Sequence, residues 1–217
     1  MLKYQVAVGG RPLALAIGIS MARLIVGFVL SIFLGAMLGL LMWRSRAVDD
    51  FLGPLFLGLQ TLPSVCWVPL AILTFGINET GVLFVVIMGS FFAIAIALRD
   101  GLRVIPPIYQ RAGAMLGTSG WKMYRYVLLP ASLPALTSSL RQGFSFAWRS
   151  LMGAELIFAV QRHGLGFLLQ TGRDFADVAQ VIAVMAIMVM IGMLADRLVF
   201  GVLERSIHRR FGLAVAE

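Results

Sequence analysis

Charge is scarce in this sequence of 217 residues. Only 13% are Asp, Glu, Lys or Arg, about half of the roughly 25% that is usual in globular proteins. Hydrophobic residues make up 60%, against a usual share of about 45–50%. A soluble domain of this length could not bury so much apolar surface, so the composition excludes disordered chains, collagen-like fibres and ordinary soluble enzymes. It indicates a protein dissolved in lipid, with room for five or six spans of about 20 residues each.

Residues that carry chemistry are also few. Cys66 is the only cysteine, which excludes an intrachain disulfide, and its apolar surroundings predict a small core residue. The two histidines, His163 and His208, lie outside the predicted spans and lack metal-ligand spacing. The sequence has no Gly-Lys-Ser/Thr phosphate loop. We therefore expect no metal, no cofactor and no catalytic residues; a membrane-embedded enzyme would need paired carboxylates, a histidine pair or a Ser/Lys dyad within its spans.

Apolar runs separated by charged clusters predict an all-α, polytopic membrane helix bundle with about five transmembrane helices. A short interfacial helix is expected at 51–60 and a glycine-rich connector at 161–177. The predicted spans are residues 24–43, 61–75 with a kink at Pro69, 80–98, 131–158 and 178–203. We expect an N-terminal segment at 1–15, one transmembrane domain at 16–203 and a basic cytoplasmic tail at 204–217.

The net charge of +8 fits the excess of Lys and Arg in cytoplasmic loops of membrane proteins. No basic stripe on a polar face accompanies it, so nucleic-acid binding is not expected. Placing residues 99–130 and the tail inside puts ten Lys and Arg residues inside and five outside: Lys3, Arg11, Arg23, Arg162 and Arg173. This orientation leaves the N-terminus outside. Two explanations are open: residues 11–22 are the remnant of a further helix, or the true start of the protein lies upstream.

The first predicted span carries a small residue at every fourth position. These residues are Gly27, Ser31, Gly35 and Gly39. Such spacing lines one face of a helix and lets a second helix approach closely.

Residues 99–130 form the longest stretch that cannot span a membrane. Pro106 and Pro107 end the preceding helix and can begin another over 108–116, which Gly117 would terminate. Thr118 or Ser119 can cap the next helix, and Pro130 marks the return to the membrane. The pattern predicts a short transverse helix on the cytoplasmic face that fits a cleft of another protein; a plain connecting loop remains the alternative.

At these residues the sequence resembles the coupling loop of binding-protein-dependent ABC importer permeases, whose pattern is Glu-Ala-Ala, three residues, Gly, nine residues, Ile, one residue, Leu-Pro. The matching positions are Arg111, Ala112, Gly113, Gly117, Leu129 and Pro130. Two positions depart from the pattern, because Arg111 stands where the family has Glu and Gly113 where it has Ala. The resemblance implies that the six residues couple the permease to an ATPase.

The resemblance extends over nearly the whole chain. The Ser20-Met21-Ala22-Arg23 segment resembles the start of the conserved transmembrane domain. Residues 146–152 with Ala154-Glu155, and then Gly164-Leu165-Gly166, resemble the branch that imports nitrate, sulfonate, taurine and bicarbonate, with aliphatic-sulfonate permeases nearest. This implies a multi-pass subunit of the bacterial inner membrane, in contact with lipid. The partners that the resemblance implies are a second copy of the permease, cytoplasmic ABC ATPase subunits and a periplasmic or lipid-anchored binding protein. A stand-alone secondary transporter or channel is the alternative; it would need no such loop and would usually show an internal repeat.

Three charged residues fall within the predicted span at 131–158: Arg141, Arg149 and Glu155. Each costs about 2.5–3.5 kcal/mol at mid-bilayer unless paired or hydrated. Ser138, Arg141, Ser145 and Arg149 share a helix face, which we expect to look into the dimer or the pathway. Arg141 could instead snorkel at the cytoplasmic end. Arg149 could attract an anionic substrate. It could instead pair with a backbone carbonyl or brace Glu155 across a helix interface, and we favour the brace.

Overall fold

The computed structural model describes residues 13–158 and 164–210, and every regular element in these ranges is a helix. The helices are α1 (Leu13–Arg44), α2 (Arg46–Thr61), α3 (Trp67–Phe75), α4 (Glu79–Arg103), α5 (Pro107–Met115), α6 (Gly120–Met123), α7 (Leu129–Ile157), α8 (Leu165–Asp174), α9 (Val178–Ala195) and α10 (Gly201–Arg210). One 3₁₀ turn, Ser64–Cys66, precedes α3, and π-helical turns at Tyr124–Leu128 and Asp196–Phe200 precede α7 and α10. The predicted all-α helix bundle is confirmed.

Small residues let α1 pack directly against the backbone of α4. A Cβ added at Gly39 would lie 2.6 Å from the carbonyl oxygen of Ala95, and one at Gly35 would lie 2.9 Å from that of Phe91. On the same face, the Ser31 hydroxyl accepts a hydrogen bond of 2.7 Å from Ser90. The close helix contact predicted from the four-residue spacing is therefore confirmed.

The core lies where α1, α4 and α7 meet. Leu24 of α1, Val85 and Val86 of α4 and Leu151 of α7 are fully or almost fully buried there. Gly143 of α7 lies directly against Ile94 of α4 in the same packing. These three helices form the packed centre to which the remaining elements attach.

The segment predicted as an interfacial helix and a kinked span is a broken pair of helices. α2 and the segment Ser64–Phe75 meet at a bend of 96°. Pro63 is responsible, because it disfavours helical backbone at Leu62 and offers no N–H. The prediction of a span beginning near Thr61 and kinked at Pro69 is wrong: Thr61 ends α2, and Pro69 lies in the first turn of α3, where a proline is tolerated.

Aromatic side chains attach this broken pair to α4. Phe56 of α2 packs edge-on against Phe92 with ring centroids 5.1 Å apart, and Trp67 of α3 stacks on the same ring. Cys66, at the bend, is exposed, so the prediction that it is a small core residue is wrong.

Other boundaries also differ from the prediction. α1 begins at Leu13, so residues 13–22 are its first turns and not the remnant of a separate helix. The glycine-rich connector contains α8. Residues 1–12, with Lys3 and Arg11, and residues 159–163, with Arg162 and His163, lie outside the described ranges, as does the side chain of His208.

Three described helical segments are long and apolar enough to cross a membrane, namely α1, α4 and Val178–Ile207. The bent α2–α3 pair would be a fourth. α7 has 29 residues and is therefore about 43 Å long, enough to cross, but it carries three charges. The count of five spans stays a prediction, as do the domain boundaries.

Candidate functional site

The predicted coupling segment contains the expected transverse helix. α5 begins at Pro107 and ends before Gly117, whose φ is +76°. The N–H of Gly117 donates to the carbonyl of Ala114 at 3.0 Å, and the N–H of Thr118 donates to that of Gly113, also at 3.0 Å. Left-handed backbone at this position is inexpensive only for glycine, so the predicted helix stop at Gly117 is confirmed.

Gly113 is where α5 touches the rest of the chain. It is buried, and a Cβ there would lie 2.8 Å from the sulfur of Met123 and 2.9 Å from the hydroxyl of Thr118. The Thr118 hydroxyl donates to the Gly113 carbonyl at 2.5 Å. That Thr118 or Ser119 caps the following helix stays a prediction. The absence of a Cβ at Gly113 permits this close contact.

Arg111 and Ala112 are exposed on the same helix. Leu129 and Pro130 occupy the first turn of α7, where proline fits, and they follow the π-helical turn Tyr124–Leu128. The structure therefore divides the six predicted coupling residues into four on the transverse helix and its stop, and two where the chain returns to α7. Their coupling role stays a prediction.

Polar side chains form an exposed stripe along α7. Its members are Ser138, Arg141, Gln142, Ser145 and Arg149, all of them exposed. The shared face predicted from the spacing of the serines and arginines is confirmed. On a helix of a membrane bundle, such a face must meet water or protein, because lipid cannot satisfy its charges.

The two arginines of this stripe differ in their partners. Arg141 binds both carboxylate oxygens of Asp196 at 2.6 Å and Glu204 at 3.1 Å, which compensates its charge. Arg149 donates to the carbonyl of Ser145 at 3.0 Å and lies 4.7 Å from the ring of Phe146. Within the described residues it makes no salt bridge.

Glu155 does not pair with Arg149, so the brace between them is wrong. Glu155 is only 3% exposed and points toward α1, on another face of α7. Arg23 donates to it at 2.7 Å, Ser20 at 2.8 Å, and the N–H of Gly166 at 3.0 Å. A buried carboxylate is stable here because three donors from two other helices satisfy it.

Arg23 joins this carboxylate to a second one. Its guanidinium makes two hydrogen bonds of 2.7 Å to Glu79, at the start of α4, besides the one to Glu155. The predicted topology placed Arg23 among the outside charges, before the first span. In the structure it lies within α1, and its side chain is only 10% exposed. Sequence reasoning missed this triad; the available signal was Ser20 and Arg23, three residues apart on the small-residue side of α1.

The Gly164-Leu165-Gly166 segment closes the network. The N–H of Leu165 donates to the Ser20 hydroxyl at 3.0 Å. A Cβ at Gly164 would lie 2.5 Å from the Glu155 carboxylate oxygens, and one at Gly166 would collide with the Cβ of Glu155. The two glycines are therefore needed for close approach, and the network ties α1, α4, α7 and α8 together.

A second ion cluster lies at the opposite end of α4, where the chain leads into the coupling segment. Asp49 of α2 accepts hydrogen bonds from Arg99 at 3.0 Å and from Arg103 at 2.8 Å. Arg99 also binds Asp100 at 2.8 Å. This cluster fixes the beginning of α2 to the base of the coupling segment. Sequence reasoning counted Arg99 and Arg103 only as cytoplasmic charges.

Several known proteins are similar to this chain in sequence. A putative ABC transporter permease of Methanocaldococcus jannaschii is 34% identical over 82% of this chain and 67% of its own length. The taurine transport system permease protein of Escherichia coli is 29% identical over 82% of this chain and 64% of its own, and the nitrate import permease protein of Synechocystis is 28% identical over 88% and 70%. The chain thus spans about two thirds of the length of these relatives.

The fold is also found among solved structures. A chain of the MetNI methionine ABC transporter, in an inward-facing conformation, matches with a TM-score of 0.71 over 90% of this chain and 95% of that one, at 18% identity. A family model described as the binding-protein-dependent transport system inner membrane component matches residues 27–209, from α1 through nearly all of α10. The chain therefore belongs to the family of binding-protein-dependent transport system inner membrane components.

Proposed function

We propose that this chain is the transmembrane permease subunit of an ATP-driven importer for a small anion such as an aliphatic sulfonate, taurine or nitrate. Two copies pair along the polar stripe of α7, which lines the pathway, in a bacterial inner membrane. Cytoplasmic ATPase subunits dock on the coupling segment, and a periplasmic or lipid-anchored binding protein delivers the substrate. Family membership and the names of the taurine and nitrate relatives support this proposal.

The proposal of an anionic substrate depends on the exposed and unpaired charge of Arg149. It is exposed on the polar stripe, and no carboxylate of the described chain neutralises it. Arg141, on the same stripe, has two carboxylates and is not available to a substrate. An uncompensated guanidinium facing a water-filled pathway would raise the local concentration of anions. The missing counter-charge supports the anion interpretation of Arg149 over a salt bridge to Glu155.

Exchange of Arg149 tests the proposal. The permease is expressed with its ATPase and binding protein in cells that lack their own importer, and uptake of labelled taurine and of nitrate is measured. Arg149→Gln should raise the half-saturating substrate concentration at unchanged dimer yield, whereas Arg149→Lys, which keeps the charge, should retain partial transport. Arg46→Gln removes an exposed arginine outside the stripe and should leave uptake unchanged.

Two results would refute parts of the proposal. Full uptake by Arg149→Gln would remove the argument for an anionic substrate. Uptake that persists when the ATPase subunit is omitted would favour the stand-alone secondary transporter.

A further inference from the structure

α5 presents one face away from the body of the protein. Among its residues whose side chains are described, only Gly113 is buried. At about 100° per residue, Ile108, Arg111 and Met115 fall within an arc of roughly 60° on the side opposite Gly113. Ile108 is 68% exposed and Met115 is 89% exposed. Arg111 therefore stands on an outward apolar face of this helix.

Neither this helix nor the rest of its segment supplies a counter-charge for Arg111. Residues 99–130 contain five Lys and Arg residues and one acidic residue, Asp100, which binds Arg99 at 2.8 Å. Arg103 is bound to Asp49, while Arg111 makes no salt bridge within the described chain. A groove that covered Ile108 and Met115 would take the guanidinium of Arg111 out of water. Burial of an unpaired charge is strongly unfavourable, so the groove must offer an acidic group.

We propose that the ATPase docking on this chain carries a carboxylate that pairs with Arg111, inside a groove that receives Ile108 and Met115. This inference rests on the proposed function and adds the chemistry of the partner's surface. A membrane surface is the weaker candidate, because lipid-binding segments carry about 4–8 basic residues in one cluster, whereas those of this segment are spread from Arg99 to Arg125 and α5 carries one of them. Complementary charge across such an interface selects the partner as well as the register of docking.

The test uses chemistry that joins a lysine amine to a carboxylate in direct contact. The permease is co-expressed with the ATPase that co-purifies with it, in a Lys122→Arg background that removes the segment's own lysine. Arg111→Lys is then treated with a water-soluble carbodiimide, and Ser119→Lys, an exposed position beyond α5, serves as the matched control. We expect Arg111→Lys to form a covalent link to one Asp or Glu of the ATPase, identified by mass spectrometry, and the control to form none at that residue.

Charge reversal gives a second measurement. Arg111→Glu should lower the affinity for the ATPase by at least about tenfold, the effect of losing a buried interface pair. Replacement of the linked Asp or Glu of the ATPase by Arg should restore binding to Arg111→Glu. Arg111→Lys should bind the unchanged ATPase as well as the unchanged permease does.

The outcomes separate the two proposals. If an ATPase co-purifies but Arg111→Glu binds it as well as the unchanged chain does, or Arg111→Lys links to no carboxylate, the acidic groove is refuted and the transport function stands. Binding of α5 to anionic vesicles in place of the ATPase would also refute it. If no ATPase associates with the unchanged chain, the proposed function fails and this inference fails with it.

Discussion

Removal of the Glu155 carboxylate should be strongly destabilising. Glu155→Ala deletes the partner of Ser20, of one arm of Arg23 and of the Gly166 N–H, and it leaves these donors buried. Loss of one member of a buried ion pair costs about 3–5 kcal/mol, because the other charge remains without compensation. Arg23 keeps its two bonds to Glu79, so we expect the lower half of that range, about 3–4 kcal/mol, for the free energy of unfolding.

The matched control is Glu204→Ala. Glu204 also pairs with an arginine, Arg141, but its side chain is 38% exposed. An exposed pair contributes only about 0–1 kcal/mol. Unfolding by sodium dodecyl sulfate in mixed micelles, followed by tryptophan fluorescence, would measure both free energies. A Glu155→Ala chain within about 1 kcal/mol of Glu204→Ala would show that the buried network does not stabilise the fold.

Three further outcomes are expected. In a Cys66→Ser background, Ser119→Cys should not react with an impermeant maleimide in intact cells and should react after lysis, because the excess of Lys and Arg predicts that the coupling segment faces the cytoplasm; efficient labelling of intact cells would reverse the orientation. Gly117→Val should abolish retention of the ATPase while leaving the permease inserted, since valine resists a φ of +76°; normal retention would contradict this. Gly39→Leu should reduce folded yield severely, because its side chain would meet the backbone of Ala95, whereas Gly58→Leu, with open space around it, should be tolerated.

Local signals in the sequence predicted the transverse helix α5 and the small-residue face of α1. Pro107 and Gly117 act on the residues next to them, so their effect can be read from a few positions. The face of Gly35 and Gly39 follows from helix geometry alone. The broken pair at Pro63 was harder to predict, because three prolines in one apolar region leave open which of them breaks the helix and which begins one.

The partner of Glu155 could not be predicted in the same way. Spacing along one helix shows which residues share a face, and it showed that Arg149 and Glu155 do not. It says nothing about which residue of another helix comes near. The separation between Arg23 and Glu155 is 132 positions, and only the packing of α1 against α7 brings them together. The same limit hid the pairing of Asp49 with Arg99 and Arg103.

That separation also has a consequence for biosynthesis. Arg23 leaves the ribosome 56 residues before Glu79 and 132 residues before Glu155. At about 5–20 residues per second, α1 waits roughly 3–11 s for its first counter-ion and roughly 7–26 s for its second. An unpaired arginine in the bilayer costs about 2.5–3.5 kcal/mol or more during this time. The nascent α1 must therefore keep Arg23 hydrated, by snorkelling or within the insertion machinery, until α4 brings Glu79 to it.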